Sequence, residues 1–283
     1  MYRYKMIESI IKKAEGRTCH VTGIPRSGST FLLRELYKRQ IKFKALKYAD
    51  EAFRIVPGVY DVVDGEVINA PTGFIDIPQE YTWPRNYSPE VITHRMQEYK
   101  DRINQMKEPD QSCMKVFPVD FEVIKLVDPF YYQKLLSEPN FWAVTYRKKW
   151  FEGILSFFYA AETSVYHYYE DDVPGIKDFT LNPRFTKAFL DMYKNLMFTF
   201  LEAKNTMYIT SEELSAVKPV EINTTNKWAS QTPKFFENKM DVLKERCTNY
   251  DRTFEMTKKF MEKLVIESNG FYDLDGEDLY VTA

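Results

Sequence analysis

Residues 23–30 read GIPRSGST, between the apolar run Cys19, His20, Val21, Thr22 and the helical-looking run Phe31, Leu32, Leu33, Arg34, Glu35, Leu36. Gly28 lets the backbone turn closely from a strand into a helix. That order of parts makes an anion cradle. Backbone N–H groups of residues about 27–30 converge, and the positive end of the helix dipole adds to their pull. The hydroxyls of Ser29 and Thr30 can supply further donors.

The rest of the chain alternates in the same way. Apolar spacing predicts helices over residues 2–15, 29–40, 90–107, 120–136, 149–162, 183–203 and 250–268. Short β-prone runs predict strands over 17–23, 43–48, 113–118, 141–147 and 206–210. Asp64-Gly65 between alternating apolar residues signals a hairpin. Residues 71–89 are Pro-rich and irregular, and SVYHYYEDD at 164–172 breaks the helical pattern. Strands separated by helices imply a parallel sheet with crossover connections, hence an α/β fold. With no internal repeat or low-complexity linker, residues 1–283 are expected to form one domain.

The loop is close to the nucleotide-phosphate pattern G-x-x-x-x-G-K-[ST], but Ser29 stands where that pattern has lysine. In an ATP- or GTP-using loop this lysine reaches the β- and γ-phosphates, and an acidic partner helps hold magnesium. Only Asp76 in GFIDIP is a candidate for that partner. The positive charge arrives three residues earlier, at Arg26, whose planar fork suits phosphate or sulfate oxygens. The loop therefore suits a donor with a shorter anionic tail.

On these residues the chain resembles the sulfotransferases that use 3′-phosphoadenosine 5′-phosphosulfate (PAPS). Their 5′-phosphosulfate loop reads P-[KR]-S-G-[ST]-T, and here it is Pro25, Arg26, Ser27, Gly28, Ser29, Thr30. The arginine form looks like that of tyrosylprotein and bacterial carbohydrate sulfotransferases. The resemblance implies a P-loop NTPase-like central parallel sheet flanked by helices, with Arg26 holding the sulfuryl group. It also implies a second phosphate site, from an Arg at a strand end and a Ser on the next helix. VTYRKKWFEGILSFFYA offers Arg147 and Ser156 for it. Lys148 and Lys149 enlarge the positive field, and MYITSEEL at 207–214 looks like the strand and acidic turn found late in these folds.

Transfer to a hydroxyl needs a base for the acceptor's proton. By the same resemblance this is Glu51 in YADEAFRIVP, with Asp50 as the alternative. Of the three histidines, His20 reads as a packed core residue, and His94 and His167 follow no matching motif. Lys115 lies near the expected cleft. By the same resemblance INTTNKWASQTPKFF at 222–236 is a candidate nucleotide-closing loop, with Lys227 near the 3′-phosphate and Trp228 either stacked on adenine or packed in the core.

These readings give a sulfotransferase that moves a sulfuryl group from PAPS to a carbohydrate, lipid or small-metabolite hydroxyl, with no metal. A P-loop kinase, or a non-catalytic nucleotide-binding protein of the same fold, stays open as an alternative. A formal net charge of -2 argues against a nucleic-acid partner. Three widely spaced cysteines suggest no disulfide framework, and the N-terminal MYRYKMIESIIKKAEG has no long apolar core. A cytoplasmic protein without a membrane span is expected. Its oligomeric state is not written in the sequence.

Overall fold

The computed structural model describes residues 2–39, 44–45, 60–63, 66–69, 97, 112–116, 118, 121, 125, 128–137, 139–163, 176–201, 203, 205–217 and 234–268. The strands are β1 (Thr18–Gly23), β2 (Lys44–Ala45), β3 (Tyr60–Val63), β4 (Glu66–Asn69), β5 (Ser112–Val116), β6 (Asn140–Tyr146) and β7 (Thr206–Thr210). The helices, renumbered without gaps, are α1 (Tyr2–Lys13), α2 (Ser29–Arg39), α3 (Pro129–Leu136), α4 (Trp150–Thr163), α5 (Pro183–Phe200), α6 (Ser211–Ser215), α7 (Lys234–Arg246) and α8 (Tyr250–Ser268).

Five strands form one parallel sheet in the order β2-β5-β1-β6-β7. β1 lies at its centre, with Cys19 opposite Cys113 on one side and Phe141 on the other. Side chains alternate between the two faces of a strand, so each strand feeds two cores. Cys19, Val21, Phe141 and Ala143 pack with Ile7 and Ile10 of α1 and Leu32, Leu33 and Leu36 of α2. Trp142, Val144 and Tyr146 face the other way, onto α4, α5 and α8. Both faces of β6 are covered, which is why NFWAVTY is apolar almost throughout.

β3 and β4 pair antiparallel with Val63 opposite Glu66, the pairing that the hairpin signal predicts. The expected single helix over 120–136 is corrected. Asp128, at φ -146° and ψ 81°, caps α3, and its carboxylate accepts the Tyr131 N–H at 2.9 Å. Pro129 follows at the first helical position, where its missing N–H costs nothing. Residues 234–236, expected in a loop, begin α7. Of the strand expected at 43–48, only β2 is described. Residues 71–89, 164–172 and 222–233 lie outside the described residues, as does all of 90–107 except Gln97.

Candidate functional site

Three loops meet at the carboxyl edge of the central strands: residues 24–28 after β1, 147–149 after β6, and α6 directly after β7. This edge of an open parallel sheet is where its ligands bind. The loops are knitted together by close backbone approach. A Cβ on Gly23 would lie 1.9 Å from Thr145 Oγ1 and 2.3 Å from the Thr145 carbonyl oxygen. Only glycine fits there, and the Ile24 N–H donates to that carbonyl at 3.0 Å.

Ser27 is buried. Its hydroxyl donates to the Ile24 carbonyl at 2.6 Å and shares a hydrogen bond with Thr145 Oγ1, also at 2.6 Å. The hydroxyl therefore pins the loop to β6 and is turned away from the helix mouth. Gly28 has φ +86°, and a Cβ there would come 3.0 Å from Leu214 Cδ1 of α6. Its carbonyl accepts the Leu32 N–H at 2.9 Å, so the helix begins here. The geometry of a helix leaves the N–H groups of its first turn, from Ser29 on, without intrahelical acceptors. Ser29 is buried and Thr30 half-buried.

Arg26 has φ 68°, the left-handed region that a non-glycine residue enters at some cost. Its Nε donates to Ser156 Oγ of α4 at 3.3 Å. Two residues 130 apart in sequence, predicted as the grips of two different anion sites, are thus in direct contact.

Arg147 follows β6 and lies over Gly153, whose added Cβ would be 3.6 Å from Arg147 Cδ. Its Nη2 donates to Glu152 Oε2 at 3.0 Å, and its carbonyl accepts the buried Tyr193 hydroxyl at 3.1 Å. Burial pushes the Tyr193 phenol well above its ordinary range, so the hydroxyl stays a donor. The Arg147 Nε is buried and, among the described residues, has no hydrogen-bond partner. Glu152 also receives Lys244 of α7 at 3.1 Å and has Lys149 at 3.9 Å. Glu212, on α6, accepts the N–H groups of Lys148 at 3.2 Å and Lys149 at 3.4 Å, which fixes the loop after β6. Lys149 is exposed and Lys148 half-buried.

Lys115 sits in β5 opposite Val21. His20 is buried, stacked on Trp142 at 4.3 Å between ring centroids, with Nε2 against Asn140 Oδ1 at 2.8 Å. Burial lowers its pKa to about 4, so it is a neutral core residue. Glu51, Asp50, Asp76, His94, His167, Lys227 and Trp228 lie outside the described residues. Sequence reasoning missed Glu152 and Lys244. Glu152 was in plain view five residues after Arg147; Lys244, 92 residues further on, carried no signal. Among the described residues no helix is long and apolar enough to cross a membrane, and no cluster of His, Cys, Asp and Glu is placed to hold a metal. Comparison with protein-family models, curated proteins and solved structures finds no match in any of the three.

Proposed function

We propose that this chain is a sulfotransferase that moves a sulfuryl group from PAPS to a hydroxyl of a carbohydrate, lipid or small metabolite. The observation that carries the reading is the 3.3 Å contact between Arg26 Nε and Ser156 Oγ. This contact supports a single nucleotide that spans both predicted anion sites. The sheet order is in keeping with a P-loop NTPase-like fold. Leaving out the hairpin and counting strands along the chain, the order is 2-3-1-4-5, with the glycine-loop strand central.

The residues suit such a donor. The mouth of α2 and the Arg26 fork face a 5′-phosphosulfate, and Arg147 with Ser156 meets a 3′-phosphate. The unpartnered, buried Arg147 Nε is a donor left for that anion. In the reaction the acceptor oxygen forms its bond to sulfur as the bond from sulfur to the phosphate oxygen breaks. The electron pair stays on that oxygen, giving adenosine 3′,5′-bisphosphate. Arg26 and the α2 amides stabilise the charge developing there, as preorganised donors do in phosphoryl transfer. The acceptor's proton passes to Glu51, or to Asp50.

Two measurements test this. By calorimetry, adenosine 3′,5′-bisphosphate binds, and Arg147→Ala weakens it about 10- to 100-fold, the worth of a charged hydrogen bond. Equal affinity in the variant removes Arg147 from the site. With radiolabelled PAPS and a panel of sugars, lipids and phenols, label moves to a hydroxyl. Tighter binding of Mg-ATP than of the bisphosphate turns the reading to a kinase. Bisphosphate binding with transfer to no acceptor turns it to a non-catalytic nucleotide-binding protein.

A further inference from the structure

Glu152 touches more cations than a surface pair needs. It is 14% exposed, in the first turn of α4, and its two oxygens are divided between partners: Oε2 takes Arg147 Nη2, and Oε1 takes Lys244 Nζ. Lys149 Nζ stands 3.9 Å from Oε1. Among the described residues, three cations around this one carboxylate leave a surplus of two positive charges. Like charges held this close repel unless a counter-charge fills the gap, and the repulsion grows as the groups leave water. Arg147 is 16% exposed, so it is largely out of water. On α4, Glu152 and Ser156 are four residues apart and share a face. A Cβ on Gly153, the residue after Glu152, would lie 3.6 Å from Arg147 Cδ.

We infer that Glu152 is a positioning residue, whose carboxylate holds Arg147 and Lys244 as a fixed pair of cations and so makes the cradle beside Ser156 select a dianionic phosphate monoester. The inference rests on the PAPS reading and deepens it, by naming what enforces the choice of a nucleotide with a 3′-phosphate. A phosphate monoester carries close to two negative charges at neutral pH, matching the surplus. The orientation matters as much as the charge. Glu152 occupies one corner of the guanidinium, and among the described residues the Nε edge has no partner. A guanidinium gives its specificity through such fixed geometry, whereas a mobile cation at a wet edge is screened by salt. Glutamine at this position accepts through one oxygen only, so it holds one cation and releases the other.

The test compares two probes, adenosine 3′,5′-bisphosphate and adenosine 5′-monophosphate, by calorimetry on the wild type, Glu152→Gln, Glu152→Asp and Lys244→Met. Lys244 is partly exposed, so its replacement spares the fold if Glu152→Gln does not. The wild type is expected to prefer the bisphosphate. In Glu152→Gln and Lys244→Met that preference drops about tenfold while affinity for the monophosphate holds, and Glu152→Asp restores part of it. An unchanged preference in both variants, or an equal weakening of both probes, overturns the role of Glu152 and leaves the PAPS reading standing. A wild type that does not bind the bisphosphate overturns both.

Discussion

Arg26 is the one described non-glycine residue with positive φ, and it leads a loop in which Gly28 is also left-handed. Backbone strain of this kind costs roughly 1–3 kcal/mol and persists where the surroundings enforce it. Here the enforcement is visible: Ser27 pinned to Ile24 and Thr145 on one side, Ser156 receiving the guanidinium on the other. Gly23→Ala drives a Cβ into the backbone of Thr145, so urea unfolding is expected to show a loss above about 3 kcal/mol, beyond ordinary overpacking. A variant within about 1 kcal/mol of the wild type means that β1 and β6 can part without harm. His20 gives a second residue-scale expectation. Its folded pKa, about 4, lies below the ordinary value of 6.5, so the unfolded chain binds the proton more readily. Its contribution is fully present above pH 6.5 and is lost as pH falls from there to about 4, a swing of about 3 kcal/mol. Replacing it with phenylalanine, which keeps a ring on Trp142, is expected to flatten the unfolding free energy across that window.

α6 is five residues long, yet it supports the glycine loop, because Leu214 lies against Gly28. Such a short helix has little stability of its own and is held by its ends. Thr210 and Glu213 form a reciprocal capping box, the Glu213 carboxylate accepting the Thr210 N–H at 2.7 Å and the Glu213 N–H reaching Thr210 Oγ1 at 3.1 Å. Glu213→Ala strands the N–H of a buried threonine and is expected to lower stability by about 1–2 kcal/mol. It should also weaken bisphosphate binding, since the loop loses its floor. Loss of stability without loss of affinity would separate α6 from the site. At this scale much was readable beforehand. The strand, glycine loop and helix of residues 18–39 announced themselves through local glycine and apolar spacing. The break before α3 was also written, in Asp128-Pro129, but the apolar run on both sides of it masks a boundary that only the cap defines. α7 was unreadable for another reason: its amphipathic face acquires meaning from α4, and nothing local names that partner.

For the whole molecule, a ligand that binds only the folded chain adds RT ln(1 + [L]/Kd) to its stability, about 2.7 kcal/mol at a hundredfold excess over Kd. Adenosine 3′,5′-bisphosphate is therefore expected to raise the melting temperature of the wild type and to do so far less for Arg147→Ala. The same rise in both would place the nucleotide elsewhere. The candidate site was legible only as separate pieces. Arg26, Arg147 and Ser156 could be named from local pattern, but the contact of Arg26 with Ser156 depends on β1 lying beside β6, a pairing across more than a hundred residues that leaves no local trace. Glu152 stands close to Arg147 in the sequence, but its contact with Lys244 arises only in the folded chain. That long-range pairing has a consequence during synthesis. The glycine loop leaves the ribosome early, but its wall, β6, and its floor, Leu214, emerge far later. Nascent chains arrested short of residue 214 therefore expose the loop without its floor, and its native geometry is completed late.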